Sequence, residues 1–140
     1  NDVIASKIYN ILEFRRVSDL VCGYEIEFDQ YVFLPNEHTI EAIGEVDDNS
    51  NNICRLNSSD ITLPLIVRTR RLGDKIKVKG LDGTKKIKDI FIDRKMPIKD
   101  RDVWPIVVDS KGNVVWIPRI KKSVFDKNKN ENYDIILKYS

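Results

Sequence analysis

Residues 68–101 read RTRRLGDKIKVKGLDGTKKIKDIFIDRKMPIKDR. Within this stretch the spacing of apolar residues changes, and the change sets the fold class. Lys75 to Lys79 alternates lysine with Ile76 and Val78, the pattern of a short strand with its lysines toward solvent. After the turn Gly80-Leu81-Asp82-Gly83, Ile87, Ile90 and Phe91 fall at i, i+3 and i+4. That spacing predicts an amphipathic helix over 84–95, with Thr84 as its N-cap and Met96-Pro97 as its stop.

Outward from this stretch, the chain reads as strands. Val3 to Val17 alternates in pieces, and Tyr24, Ile26 and Phe28 share one face of a run whose other face is Glu25, Glu27 and Asp29. Pro35-Asn36-Glu37 reads as a turn into TIEAIGEV (39–46), and DDNSNN (47–52) as a polar loop before ICRLN (53–57). ITLPLIVRTR (61–70) is β-type, with Pro64 placed at an edge or a strand start. Downstream, VWPIVVD and NVVWIP flank Ser110-Lys111-Gly112-Asn113, a hairpin signal in which Gly112 can take a positive φ. DKNKNENYD (126–134) reads as a loop or disordered tail before a last short strand. The predicted fold is therefore α+β: one strand-dominated domain over 1–140 with one principal amphipathic helix.

The charge is segregated along the chain. Residues 68–101 carry 13 Lys/Arg against 5 Asp, while residues 1–67 carry 4 Lys/Arg against 12 Asp/Glu, so a formal net charge of only +2 hides a dipolar molecule. An electropositive face of this kind concentrates and steers polyanions, nucleic acid above all. No apolar run approaches the roughly 20 residues of a membrane span, and the N-terminus lacks the layout of a signal peptide. Cys22 and Cys54 stand far apart without a CxxC or Cys/His cluster, which suggests neither a disulfide framework nor a zinc site and predicts a cytoplasmic protein. His38, the one histidine, reads as a solvated turn residue.

Candidate RNA-binding residues are Arg68, Arg70, Arg71, Lys75, Lys85, Lys86, Lys88 and Arg101. On a strand, Arg68 and Arg70 would share a face and present planar forks to phosphates or a base edge. Lys85 and Lys86 would lie in the first helical turn, where the dipole disfavours cations unless an anion is bound there. Lys127 and Lys129, in the polar tail, are expected to contribute little. Alternatives stay open on the residues: Asp74 could pair with a neighbouring arginine or cap a turn, Lys77 and Lys79 could be merely solvated, and Trp104 and Trp116 read as core rather than base-stacking residues.

RTRRLGD (68–74), GTKKIKDIFIDRKMP (83–97), RDVWPIVVD (101–109) and VVWIP (114–118) together resemble the C-terminal region of the tRNA(Ile)-lysidine synthetase family. The family pattern runs Arg-x-Arg-x-x-Gly-Asp, then Gly-(Ser/Thr)-Lys-Lys-(Leu/Ile)-Lys, then (Ile/Val)-Pro, Arg-Asp and Pro-(Leu/Ile). The resemblance implies an α+β module with an unusual β-sandwich, similar to one in the phenylalanyl-tRNA synthetase β subunit. It implies a parent enzyme that uses ATP and Mg to join lysine to the wobble cytidine of the isoleucine tRNA with a CAU anticodon. This region would engage the acceptor-stem side of that tRNA. The family's catalytic domain carries an SGGxDS phosphate loop, which is absent from these 140 residues, so this chain is expected to hold no cofactor and to be inactive alone. Its expected partners are that tRNA and its own catalytic domain, with a homodimer possible. The competing reading is a protein-docking or oligomerisation module whose acidic and basic faces are complementary.

Overall fold

The structure is a computed structural model that describes residues 23–140, so the strand expected over Val3–Val17, and Cys22, lie outside the described residues. Alternation at the start of this region produces β1 (Glu25–Phe28), with Phe28 buried and Glu25 and Glu27 exposed. β1 pairs antiparallel with β5 (Leu65–Arg68). Beyond β5 come β8 (Ile106–Val108), β9 (Val114–Ile117) and the short β10 (Lys121–Lys122), giving a five-stranded antiparallel sheet in the order β1-β5-β8-β9-β10. Pro64 stands immediately before β5, at a strand start, so its missing N–H costs the ladder nothing. The predicted hairpin forms as β8 and β9, and Gly112 takes φ 88° in its turn.

The second sheet has four antiparallel strands in the order β2 (Tyr31–Phe33), β3 (Thr39–Ala42), β11 (Ile135–Tyr139), β4 (Ile53–Leu56). After a loop over 126–134, the last short strand forms as expected. β11 is an interior strand, paired with β3 on one side and β4 on the other, and Ser123 and Asp126 ahead of it are buried.

The two sheets pack face to face over one core that includes Phe28, Leu34, Ile40, Leu56, Val67, Val107, Trp116 and Leu137. The outer face of the five-stranded sheet is also covered. Ile106, Val108, Val114 and Ile117 pack there against Ile76, Val78, Ile87, Ile90, Phe91 and Met96. β8 and β9 are consequently buried on both faces, which explains why their sequences read as unbroken apolar runs rather than as alternation. The ladder also shifts register at Val107/Val108, leaving Val115 as an extra residue between the paired Val114 and Trp116.

The covering layer comprises a hairpin of β6 (Lys75–Lys77) and β7 (Thr84–Lys86), the helix α1 (Ile87–Asp93) and the one-turn α2 (Ile98–Arg101). Ile87, Ile90 and Phe91 are buried as their spacing predicts. The helix is shorter than predicted, however. Thr84 is not its N-cap, because residues 84–86 are held as a strand by pairing with Lys75–Lys77, and tertiary pairing overrides local preference. The fold is thus strand-dominated with one main helix, as predicted. No helix among the described residues is long and apolar enough to cross a membrane.

Candidate nucleic-acid interface

The candidate basic residues separate into three groups. Arg68 ends β5 and is only 5% exposed. Its Nη1 and Nη2 donate to the two carboxylate oxygens of Asp74 at 2.9 and 3.0 Å, and Nη1 also donates to the Thr69 carbonyl. Burial opposes ionisation of Asp74, but the bonds from Arg68 and the Arg71 amide outweigh it and hold its pKa below the usual carboxylate range. Both readings left open for Asp74 are realised: it pairs with Arg68 and also accepts the Arg71 amide, capping the turn. The geometry expected for Arg68 is corrected accordingly: it does not share a strand face with Arg70, since β5 stops at Arg68, and its fork is consumed internally.

Arg70, Arg71, Lys86 and Lys88 are brought together. The loop after β5 supplies the arginines and the β7–α1 junction supplies the lysines, around a cleft of about 580 Å³ that Leu72, Gly73 and Asp102 also line. The Arg70 guanidinium lies over the Phe91 ring at 5.8 Å and reaches Asp102 at 3.3 Å, so the fork itself is held against the helix that the core fixes in place. Arg71 is exposed and pairs with Glu25, which projects from the solvent face of β1. Lys86 stands directly opposite Lys75 in the β6–β7 ladder. Like charges facing each other across a hairpin repel, and a bound anion converts that cost into attraction. This cross-strand pair takes the place of the expected helix-dipole effect, because Lys85 and Lys86 lie on β7 and not in a first helical turn.

Besides Arg68 and Lys75, two further candidates stand outside the cleft's lining. Lys85 approaches Asp93 at 3.9 Å, and Arg101 donates from Nε to the Met96 carbonyl at 2.7 Å, closing the turn between α1 and α2. Trp104 and Trp116 are spent on packing: Trp116 is fully buried and donates to the Asn51 carbonyl, and Trp104 donates to that of Pro118. His38 is tied in more than expected, stacked on Tyr139 with ring centroids 4.9 Å apart.

Sequence reasoning missed Leu72, which is fully exposed at the tip of the loop that carries the two arginines. It also missed Asp109, a buried carboxylate that accepts from the Thr62, Lys111 and Asn113 amides and anchors the β8–β9 turn. The Asp109-Ser110-Lys111-Gly112 turn signal could have exposed the second; nothing local marks the first. Among the described residues no group of three or more His, Cys, Asp or Glu could hold a metal ion. What the cleft presents is a set of cationic donors with different reach, suited to phosphate oxygens.

Several known proteins are similar to this chain. Residues 65–137, just over half of the chain, match the family described as the TilS substrate C-terminal domain. The tRNA(Ile)-lysidine synthase of Bacillus subtilis is 44% identical over 115 residues, covering 79% of this chain and 24% of that protein. A bifunctional protein TilS/HprT of Listeria monocytogenes is 38% identical over 133 residues, covering 91% and 20%. The chain therefore spans about a quarter of the length of the curated relatives it matches. A crystal structure of a TilS C-terminal domain superposes with a TM-score of 0.77 at 38% identity, over 84% of this chain and 95% of that one. An N-terminal fragment of the phenylalanyl-tRNA synthetase β subunit from Pyrococcus horikoshii shares the fold alone, with a TM-score of 0.50 at 21% identity over 62% of this chain and 27% of that one. The family match over residues 65–137, together with that superposition, establishes that the chain belongs to the TilS substrate C-terminal domain family.

Proposed function

We propose that this chain is the tRNA-gripping module of a cytoplasmic tRNA(Ile)-lysidine synthase, and that it holds the acceptor-stem side of the isoleucine tRNA with a CAU anticodon. Lysine transfer to the wobble cytidine, with its ATP and Mg, belongs to a catalytic domain elsewhere in the parent enzyme. The observation that carries the reading is the convergence of Arg70, Arg71, Lys86 and Lys88 on one cleft, with Lys75 set against Lys86. Lysines there neutralise phosphates and position the RNA without reading it. Arg70, braced on Phe91, has the rigid planar fork that reads a base edge or 2′-hydroxyl. Relatives named tRNA(Ile)-lysidine synthase support the identity of the substrate.

The test is tRNA binding by the chain as a function of salt. K86Q and K88Q should each lower the slope of log K against log salt by about 0.7–0.9, while K111Q, on the β8–β9 turn, leaves it unchanged. Equal, small effects of all three substitutions would overturn the site. Binding that an acidic protein surface supports as well as tRNA does would favour the docking-module reading instead.

A further inference from the structure

A second basic pocket lies on the part of the molecule where the two sheets are bolted together. Asp126, buried, accepts the Arg55 amide at 2.9 Å, and the Lys127 amide donates to the Arg55 carbonyl at 2.7 Å, tying β4 to the segment before β11. Lys79 reaches the other oxygen of Asp126 at 2.5 Å, and Lys122 stands 4.0 Å from it. Lys127 and Lys129 complete the wall, so five cations and one carboxylate enclose about 610 Å³ together with asparagine amides. The outer acids nearest the rim, Asp60 and Asp47, pair with Lys127 and Lys129 on the exposed side.

The pocket holds more donor capacity than it uses. The Arg55 side chain is 1% exposed, and its Nη atoms are satisfied by Asn49, Val46 and Asp48, yet its Nε is buried without a partner. An unpartnered buried donor is costly, and every oxygen that the Arg55 guanidinium does reach is uncharged, so its positive charge is not neutralised by its hydrogen bonds. Burial also depresses the Lys122 pKa against the pull of Asp126, a second sign of cations held short of anionic partners.

β6 connects this pocket to the cleft. Lys75 and Lys77 are exposed on one face of the strand, Ile76 and Val78 are buried on the other, and Lys79 follows in step because Val78 bridges Ser123. Lysines on alternate residues of extended chain stand about 6.6 Å apart, a repeat that a sugar-phosphate backbone can follow. The row begins at Lys75, opposite Lys86 of the cleft, and ends at Lys79, in the pocket. We propose that the Arg55–Lys79–Lys122 pocket is a second phosphate site for the same RNA, continuous with the Arg70–Lys88 cleft along Lys75, Lys77 and Lys79. This rests on the tRNA-binding reading, and it reverses the sequence expectation that Lys127 and Lys129 contribute little.

The experiment compares salt-dependent tRNA binding by the chain with that of K122Q and of K127Q/K129Q, alongside K86Q in the cleft. Lys127 and Lys129 are surface residues, so that double variant keeps the fold and serves where K122Q does not. Removing one phosphate-neutralising lysine should reduce the salt slope by about 0.7–0.9. In parallel, inorganic phosphate titrated into isotope-labelled chain should shift the Arg55, Asp126 and Lys127 amides as well as those of 86–88. A slope lowered by K86Q but by neither pocket variant, or phosphate shifts confined to 86–88, would overturn the pocket and leave the tRNA reading standing. No salt-dependent tRNA binding by the unmodified chain would overturn both.

Discussion

Asp74→Asn separates a structural arginine from an RNA-binding one. The substitution keeps volume and removes charge, leaving the Arg68 guanidinium, 6% exposed, against a neutral amide whose NH2 must face either Arg68 or the Arg71 amide. Removing one partner of a buried pair costs about 3–5 kcal/mol because the surviving charge is left uncompensated. Arg68 retains its bond to the Thr69 carbonyl, and Asp74 itself is partly exposed, which places the expected loss near the lower end, about 3 kcal/mol. For a domain of this size, that is a fall in Tm of about 10 °C. Urea and thermal unfolding followed by tryptophan fluorescence read it directly, since Trp116 is fully buried. The pH dependence has a fixed sign. Because the folded pKa of Asp74 is depressed, its contribution is fully present above the unfolded carboxylate value of about 3.9 and is lost as pH falls through the folded value, so the variant and the unmodified chain converge in acid. Well below its Tm, Arg68→Met should bind tRNA with an unchanged salt slope, whereas K86Q should not. A loss below about 1 kcal/mol in Asp74→Asn, or a lower salt slope in Arg68→Met, would refute the assignment of this pair to structure.

Phe91→Ala should destabilise the chain by about 3–5 kcal/mol in urea unfolding, because the ring is fully buried against Ile76 and Ile106; a loss below about 1 kcal/mol would place it outside the core. Glu25→Gln should tighten tRNA binding and steepen its salt slope, since Glu25 competes with phosphate for Arg71; weaker binding would show that Arg71 does not touch the RNA. Arg70→Ala should cost about 1–3 kcal/mol of preference for the isoleucine tRNA over a methionine tRNA sharing its anticodon, measured by competition; a uniform loss for both would reduce Arg70 to a phosphate contact.

How far the sequence reaches is shown by particular residues. Ile87, Ile90 and Phe91 announce a buried helical face, Asp109 to Asn113 announces a hairpin, and Tyr24, Ile26 and Phe28 announce a one-sided strand, because each of these depends on neighbours only a few residues away. The same locality explains the errors. Thr84 to Lys86 are strand because Lys75 to Lys77, across a turn, pair with them; the last short strand was legible, but its interior place between β3 and β4 was not. The candidate site divides along the same line. The density of basic residues over 68–101 pointed to a polyanion, and that much is written in composition. Which cations meet at one surface was decided only in three dimensions: Arg68 is buried against Asp74, while Arg70, Arg71, Lys86 and Lys88 line a cleft. The Arg55–Lys79–Lys122 pocket draws its residues from separate strands and closes over Asp126, 71 positions from Arg55 and 47 from Lys79. Charge adds along a chain, but burial and pairing depend on where the sheets bring it, so a cation's role is settled by its tertiary neighbours.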